Sequence, residues 1–349
     1  MPAKTIKSNQ NKCATCGGIL KFSPKDRALK CESCGGIEKI DIKKEFDKHY
    51  LDEDVKKSKE YNEFKKTNKV FKCPSCGSNV ILNSLEISKV CPYCSSPCVI
   101  DPKEDIGLKP DGIIPFKFGR KEASELYKKG IKKKWFLPNK FKKKPPIDEM
   151  KGVYVPSFSF DANASTTYYG KLGDTKTDSK GRTHTTYRTI SGKFNSQHHD
   201  VLVESSSKIN QKTFNSINPY NMKEVVSFNS NFILGYSLEH YNQNLAECKI
   251  IADEIMKNKI KTLILSNYNY DVVAEFSQNT IFSEEKFAYF ILPIYQVNYK
   301  YKDKNYTTFM NGQTGKVGSG YPKSAVKITF FILFIFLIFF GFVALFYLT

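Results

Sequence analysis

Eight of the ten cysteines fall into four C-x-x-C pairs, Cys13/Cys16, Cys31/Cys34, Cys73/Cys76 and Cys91/Cys94, and this pairing constrains the first hundred residues of the 349-residue sequence. Fourteen residues separate the two pairs of each set, and adding 60 to 13, 16, 31 and 34 gives 73, 76, 91 and 94. The second set therefore repeats the first in register. The repeat reaches past the cysteines, since Gly17 maps to Gly77 and Leu20-Lys21-Phe22 to Val80-Ile81-Leu82. A C-x-x-C pair spans one tight turn, and two such turns about fifteen residues apart complete a tetrahedral thiolate shell. The pattern predicts two structural zinc ions, one per set, each closed by four protein ligands and so holding fold instead of doing chemistry. Glycine follows the second cysteine in three of the four turns (Gly17, Gly35, Gly77), where left-handed backbone lets amides face the sulfurs; the fourth has Ser95. Disulfides are disfavoured in a cytosolic chain, and a redox pair does not explain two matched sets. Cys98 competes with Cys94 as a ligand, but the 60-residue register favours Cys94.

The last 22 residues, from Ile328, carry no charge and are almost wholly apolar. As a helix they extend about 33 Å, against a bilayer core of about 30 Å, which predicts one C-terminal transmembrane helix over 328–348 and a tail-anchored, single-pass protein of the cell membrane. Lys316, Lys323 and Lys327 precede that run, and the first ten residues (MPAKTIKSNQ) have no signal-peptide core, so the N-terminal bulk is expected in the cytoplasm.

Between ribbon and tail the sequence divides by composition. Residues 1–36 and 71–100 are expected as zinc ribbons, 37–70 as a charged helical linker, 101–149 as a linker with a basic amphipathic helix, and 150–322 as an α+β, β-rich domain. Net charge is +19, and residues 117–144 hold twelve basic and two acidic residues, a net of +10. Ala123, Leu126, Tyr127, Gly130 and Ile131 recur at helical spacing there. Either the basic face and terminal aromatics lie on anionic lipid head groups, or the apolar stripe packs on the next domain while the lysines are solvated. The contact candidates are Lys128, Lys129, Lys132, Lys133, Lys134, Trp135, Phe136, Lys142, Lys143 and Lys144. The same cluster would also suit nucleic-acid phosphates, though residues 73–98 themselves hold one Lys and one Glu.

In 150–322, Val153 to Phe160 alternates around Pro156, as an edge or bulged strand would, and 166–192 reads as a Gly/Ser/Thr/Lys-rich mobile hairpin loop. A helix is expected over about 242–261, and strands 287–301 and 306–310 form a hairpin. Asn311-Gly312-Gln313-Thr314-Gly315-Lys316 hints at a phosphate loop, but its first glycine would be Met310 and Val317 replaces Ser/Thr. His198-His199 is the one histidine cluster, and no nucleophile–base pair is legible.

These residues resemble a known family. The Cys73-Pro74-Ser75-Cys76-Gly77 and Cys91-Pro92-Tyr93-Cys94 knuckles, Pro115-Phe116, the Gly152-Val153-Tyr154-Val155-Pro156 strand with Phe160-Asp161-Ala162, Leu292-Pro293-Ile294-Tyr295 and the 309–317 stretch together look like the bacterial TFIIB-type zinc-ribbon membrane proteins of the YdjG kind. Such proteins are often called primosomal helicase PriA-like, although no helicase motif is present here. The resemblance implies a role near the membrane with envelope-stress partners of the PspA and SPFH type. One C-terminal hydrophobic helix departs from the two expected in many relatives. The sequence thus points to a non-catalytic, membrane-anchored zinc-ribbon adaptor with a cytosolic docking surface; the alternative is a membrane-tethered nucleic-acid binder.

Overall fold

Leu20, Phe22, Leu29 and Cys31 are buried while Lys21 and Lys30 face outward, the period of two that a half-buried strand requires. They lie on β1 (Leu20–Ser23) and β2 (Ala28–Cys31), which with β3 (Ile37–Lys39) form a small antiparallel sheet. The computed structural model describes residues 12–44, 46–52, 64–66, 68–75, 77, 79–83, 88–90, 96–99, 107–143, 145, 147, 150–206, 208–302 and 304–348.

The stretch after β2 differs from the helical linker that its charge density predicts. The described residues of 37–52 hold β3 and β4 (His49–Tyr50) and no helix, with 45 and 53–63 outside the described residues. Its apolar side chains are used one at a time: Phe46 meets Phe290 edge-on at 5.2 Å, and Phe64 meets Phe228 at 6.0 Å. Phe46 belongs to the strap that leads into β4, and Phe64 to a separate helical turn, 64–66.

Further on come β5 (Asn68–Lys72), β6 (Asn79–Asn83), β7 (Ser88–Val90), β8 (Pro97–Val99) and β9 (Gly112–Ile113). The β5–β6 hairpin is not a free-standing ribbon, because β6 pairs with β13 (Ser237–Glu239) and so joins the main sheet. Likewise β9, in the stretch expected as a linker, runs parallel to the main sheet through Phe290↔Gly112.

That sheet is built on β10 (Met150–Thr177) and β14 (Val272–Tyr301), antiparallel from Met150↔Val297 to Gly173↔Val272. At about 3.3 Å per residue, the 28 residues of β10 extend roughly 90 Å. β11 (Thr183–Glu204) pairs with the outer length of β10, β15 (Lys304–Asn311) with the end of β14, and β12 (Val226–Ser227) with β9. Pro156 sits in the middle of β10, where the alternation suggested an edge; the register shift expected of such a strand falls five residues on, between Phe160 and Ala162.

Near their shared base both faces of the long strands are buried, which is why 287–295 reads as a continuous apolar run without alternation. Tyr154, Phe158, Tyr289, Ile291 and Tyr295 join one core with Ala123, Tyr127 and Ile131 of α1 (Arg120–Lys132) and Phe141 of α2 (Asn139–Lys143). Val153, Val155, Phe290 and Leu292 join the other with Phe214 and Ile217 of α3 (Gln211–Ile217).

Beyond Ala162 the sheet narrows to three strands. The segment expected as a mobile loop is the outer part of β10 and β11, closed by a turn at 178–182 in which the Asp178 carboxylate accepts the amides of Lys180 and Arg182 at 2.9 Å. One face of this arm is covered by α4 (Leu245–Leu265), whose Ile260, Ile264 and Leu265 meet Ala164, Leu172 and Ile190. The helix begins with a capping box between Asn244 and Glu247. Ser165, Thr167, Tyr169 and Lys171 of the opposite face are exposed.

The C-terminal helix corrects a second expectation. α5 (Ala325–Leu348) forms, but among the described residues no helix is long and apolar enough to cross a membrane. The base of α5 is tied to the domain: Lys327 Nζ donates to Leu137 O at 2.8 Å and to Asn139 Oδ1 at 2.6 Å. The transmembrane helix over 328–348, the tail-anchored and single-pass cell-membrane location, and the partners drawn from them (an integral membrane position and adjoining lipid head groups) fall with this finding.

Two glutamates, Glu204 and Glu239, are buried in the sheet. Glu204 is buried with Oε1 accepting the Ser206 amide at 2.9 Å, and burial pushes its pKa up to about 7. Below its ordinary value of 4.5 the acid is neutral folded or unfolded and costs nothing. From there to about 7 the unfolded chain sheds the proton that the folded chain keeps, so stability falls as pH rises. Glu204→Gln should match the wild type at pH 4.5 and exceed it by roughly 2–3 kcal/mol at pH 8 in denaturant unfolding. Equal pH slopes for both proteins would show that Glu204 ionises freely.

Candidate metal centre

The first cysteine set is built by two identical turns. Gly17 N donates to Cys13 O at 2.9 Å and Cys13 N to Gly18 O at 2.8 Å; Gly35 N donates to Cys31 O at 3.0 Å and Cys31 N to Gly36 O at 2.9 Å. Gly17 and Gly35 hold φ of +70° and +74°, a conformation that disfavours any residue with a Cβ. The turns bring Cys13 Sγ to 3.7 Å from Cys34 Sγ and Cys16 Sγ to 3.4 Å from Cys31 Sγ. All four sulfurs lie within 4.8 Å of one another. Four thiolates at the zinc–sulfur distance of about 2.3 Å sit about 3.8 Å apart at the corners of a tetrahedron, so the cluster could bind one metal ion.

The backbone prepares two of the sulfurs for this. Amides of Cys34 and Ser33 draw the Cys31 thiol down to about 6, and amides of Cys16 and Thr15 lower Cys13. At Cys16 the Gly18 amide acts in the same sense, but the sulfurs of Cys34 and Cys31 outweigh it and push the thiol up to about 12. Charge repulsion among packed thiolates is what a divalent cation relieves. Further out, Gly36 N points at Cys34 Sγ at 3.4 Å. With no vacant ligand position among four cysteines, such a centre braces the fold.

The ribbon is fixed to the main domain from the third residue of β1: Phe22 N donates to Leu234 O at 2.9 Å, and the Phe22 ring meets Phe232 edge-on at 5.2 Å. In the second set, Cys73 is fully buried, Gly77 N donates to Cys73 O at 2.8 Å and Gly77 has φ +70°, the same turn as at Cys13. Cys76, Cys91 and Cys94 lie outside the described residues.

The basic segment resolves the choice that its pattern left open. Ala123, Tyr127 and Ile131 are all fully buried, so the apolar stripe of α1 packs on the domain and is not offered to a lipid surface. Lys129, Lys132, Lys133 and Lys143 are exposed, Lys128 pairs with Glu125 at 2.8 Å, and Lys144 lies outside the described residues. Lys134 stands over the Tyr321 ring at 5.6 Å, and Lys142 Nζ donates to Lys132 O at 3.1 Å. Trp135 and Phe136 each meet Phe331 at 5.4 Å, so the terminal aromatics seat α5.

The phosphate-loop hint dissolves in the same way. Asn311 Nδ2 donates to Ile217 O at 3.0 Å while its Oδ1 accepts the amides of Gln313 and Thr314. Gln313 Oε1 accepts Asn221 N at 2.7 Å, and its Nε2 donates to Asn221 O and Glu224. The two side chains staple the 217–224 segment to the sheet. His198 is buried with Nε2 3.0 Å from the Ser196 hydroxyl and Nδ1 without a hydrogen-bond partner, while His199 is exposed. Sequence reasoning missed a charged knot in which Lys48 Nζ donates to Asp161 at 2.7 Å and Asp200 at 2.8 Å; only Asp161, inside the Phe160-Asp161-Ala162 stretch, gave a signal.

No protein-family model matches the chain. No solved structure matches it either. It is similar to the uncharacterized protein YdjG of Bacillus subtilis (strain 168), 25% identical over 311 residues, a match covering 74% of this chain and 91% of that protein.

Replacing Cys31 with serine removes one thiolate from the described cluster. Metal content by elemental analysis of the reduced, freshly purified protein should fall by one ion per chain, with loss of amide protection in β1 to β3. Unchanged metal content would place the ion elsewhere.

Proposed function

We propose that this protein is a non-catalytic zinc-ribbon adaptor: two structural zinc ions brace its N-terminal part, and a rigid β-domain presents a docking surface to another protein. The first ion is held by Cys13, Cys16, Cys31 and Cys34, the second by Cys73, Cys76, Cys91 and Cys94. Support for the second ion comes from the exact 60-residue repeat and the matching turn at Cys73 and Gly77. The likeness to YdjG over most of both chains supports the TFIIB-type zinc-ribbon family as its place.

The observation that carries the adaptor reading is where the polar residues are spent. Lys48, Asp161 and Asp200 neutralise one another, His49 and Asp111 pair at 2.9 Å, and Asn311 and Gln313 hold a neighbouring segment. None of these groups is arranged as a nucleophile beside a base. What the domain displays outward is the open face of the arm, where Tyr169, Tyr187 and Ile281 stand exposed among Ser, Thr and Asn side chains. Tyrosine and large apolar residues on a rigid polar surface are the usual anchors of a protein interface.

Two measurements test this. Elemental analysis should return two zinc ions per chain. Crosslinking in the native cell should then recover a protein partner that is lost when Tyr169 and Ile281 are both changed to Asp, surface substitutions that cost the fold no more than about 0.5 kcal/mol each. Retention of the same partners by the double variant would remove the arm from the docking role.

A further inference from the structure

The arm ends sideways in an open sheet edge. β11 pairs with β10 from Thr183↔Thr177 to His198↔Ala162 without a register shift, and among the described residues no strand pairs with its other side. Every second residue of that run therefore points its amide and carbonyl away from the sheet. Natural sheets ordinarily blunt such an edge with a proline, a bulge or charged side chains. Residues 183–198 hold no proline, and the register shift lies beyond them, between Phe160 and Ala162 of β10. Arg188 is spent within the chain, on Asp174 and on Asn269 O, which leaves exposed Lys193 as the one other lysine or arginine of the edge. The opposite edge of the arm is treated differently. On β14 the Leu51 amide and β4 occupy 285–287, and register shifts interrupt the strand on both sides of 275–283.

The side chains of this edge complement themselves. Odd-numbered residues from 185 to 197 share the open face of the arm, while Ile190 and Phe194 turn toward α4. Turning a second β11 antiparallel about Ile190 sets Thr189 opposite Ser191 and Thr185 opposite Asn195 on the open face, and Ile190 opposite its twin on the other. Hydroxyl, amide and β-branched pairs of this kind are favourable across strands. Tyr187 then meets Lys193, so each lysine lies beside a ring and away from the other lysine. The shape of the base selects the same direction. Beyond the arm, β13, β6 and β5 widen the sheet on the β11 side, so two parallel copies would drive their bases together. Antiparallel copies hold the bases apart: residue 200 stands roughly 65 Å from its twin, and the 178–182 turn of each copy reaches only to residue 202 of the other.

We infer that the protein pairs with a second copy of itself through the outer edges of β11, antiparallel about Ile190, so that two three-stranded arms become one six-stranded sheet. The contact is isologous, each strand supplying the same groups to the other, and it closes after two copies. Both α4 helices lie on one side of the joined sheet, and both open faces lie on the other. The edge is separate from Tyr169 and Ile281, so self-pairing leaves the proposed docking face free and doubles it.

The test is sedimentation velocity of the full chain beside two double variants at the exposed positions 189 and 191. Thr189→Glu with Ser191→Glu sets two like-charged pairs across the joint and should weaken the dimer at least about tenfold. Thr189→Lys with Ser191→Glu sets two opposite-charged pairs and should keep the dimer within about threefold of the wild type. Association through the apolar side chains of α5 would respond to neither. A photo-crosslinking amino acid at Ser191 should join two copies, with the attachment inside 187–193 of the other; the same group at Ser277, on the outer edge of β14, should join none. A monomer at all concentrations up to about ten times a typical micromolar dissociation constant would overturn the inference. So would equal weakening by both double variants, species larger than a dimer that survive them, or a crosslink placed elsewhere.

Discussion

The antiparallel pairing of β10 with β14 is the constraint on which the other parts depend. It runs through the buried base, where helices and loops cover both faces, and continues into an arm that needs a helix on only one. A pair of strands this long would twist and fray if left as a ribbon in water. Two devices prevent it. β11 adds a third strand along the outer half, and α4 lays Ile260, Ile264 and Leu265 across all three. Inside the arm the sheet is also stitched by side chains, with Thr166 and Thr280 hydroxyls 2.9 Å apart and Tyr168 and Tyr268 hydroxyls 2.7 Å apart.

Everything attached to the base is held by a few specific contacts. The first ribbon hangs on Phe22, α5 on Lys327 and the Trp135–Phe136 pair, and the 217–224 segment on Asn311 and Gln313. The strap bearing Phe46 and Lys48 lies over the bulge where Asp161 and Asp200 converge, with Asp200 at φ +52°. Lysine between two carboxylates offsets the repulsion that this bulge would otherwise concentrate. The cysteine cluster has the same logic on a smaller scale: a ribbon of three short strands has little core of its own, and one ion held by the four thiolates would replace the missing burial.

How much of this was legible depended on whether a residue answered to its neighbours in sequence or to distant ones. The first cysteine cluster was readable because each ligand pair forms its own local turn and only two turns must meet. The helix α4 was readable within a few residues, since Cys248, Ala252 and Met256 keep helical spacing and Asn244 caps it. The outer halves of β10 and β11 were not, because Ser, Thr, Gly and Lys there face solvent on one side and spread their few apolar contacts over a distant helix. Pro156 misled toward a sheet edge; it lies inside the β10–β14 ladder opposite Ile291, and its carbonyl accepts Ser205 N. The stripe on α1 fitted either a lipid surface or a domain face equally well, because periodicity records burial and not what does the burying.

Amide hydrogen exchange resolved along the arm tests the continuous β10–β14 pairing most directly. If one sheet runs from the base to the 178–182 turn, amides of 164–172 and 273–283 should exchange slowly, in step with those of α4, and within reach of the protection seen at 153–160 and 287–295. Exchange of the outer amides at the rate of an unstructured chain, with the base still protected, would contradict it and return 166–192 to a mobile loop.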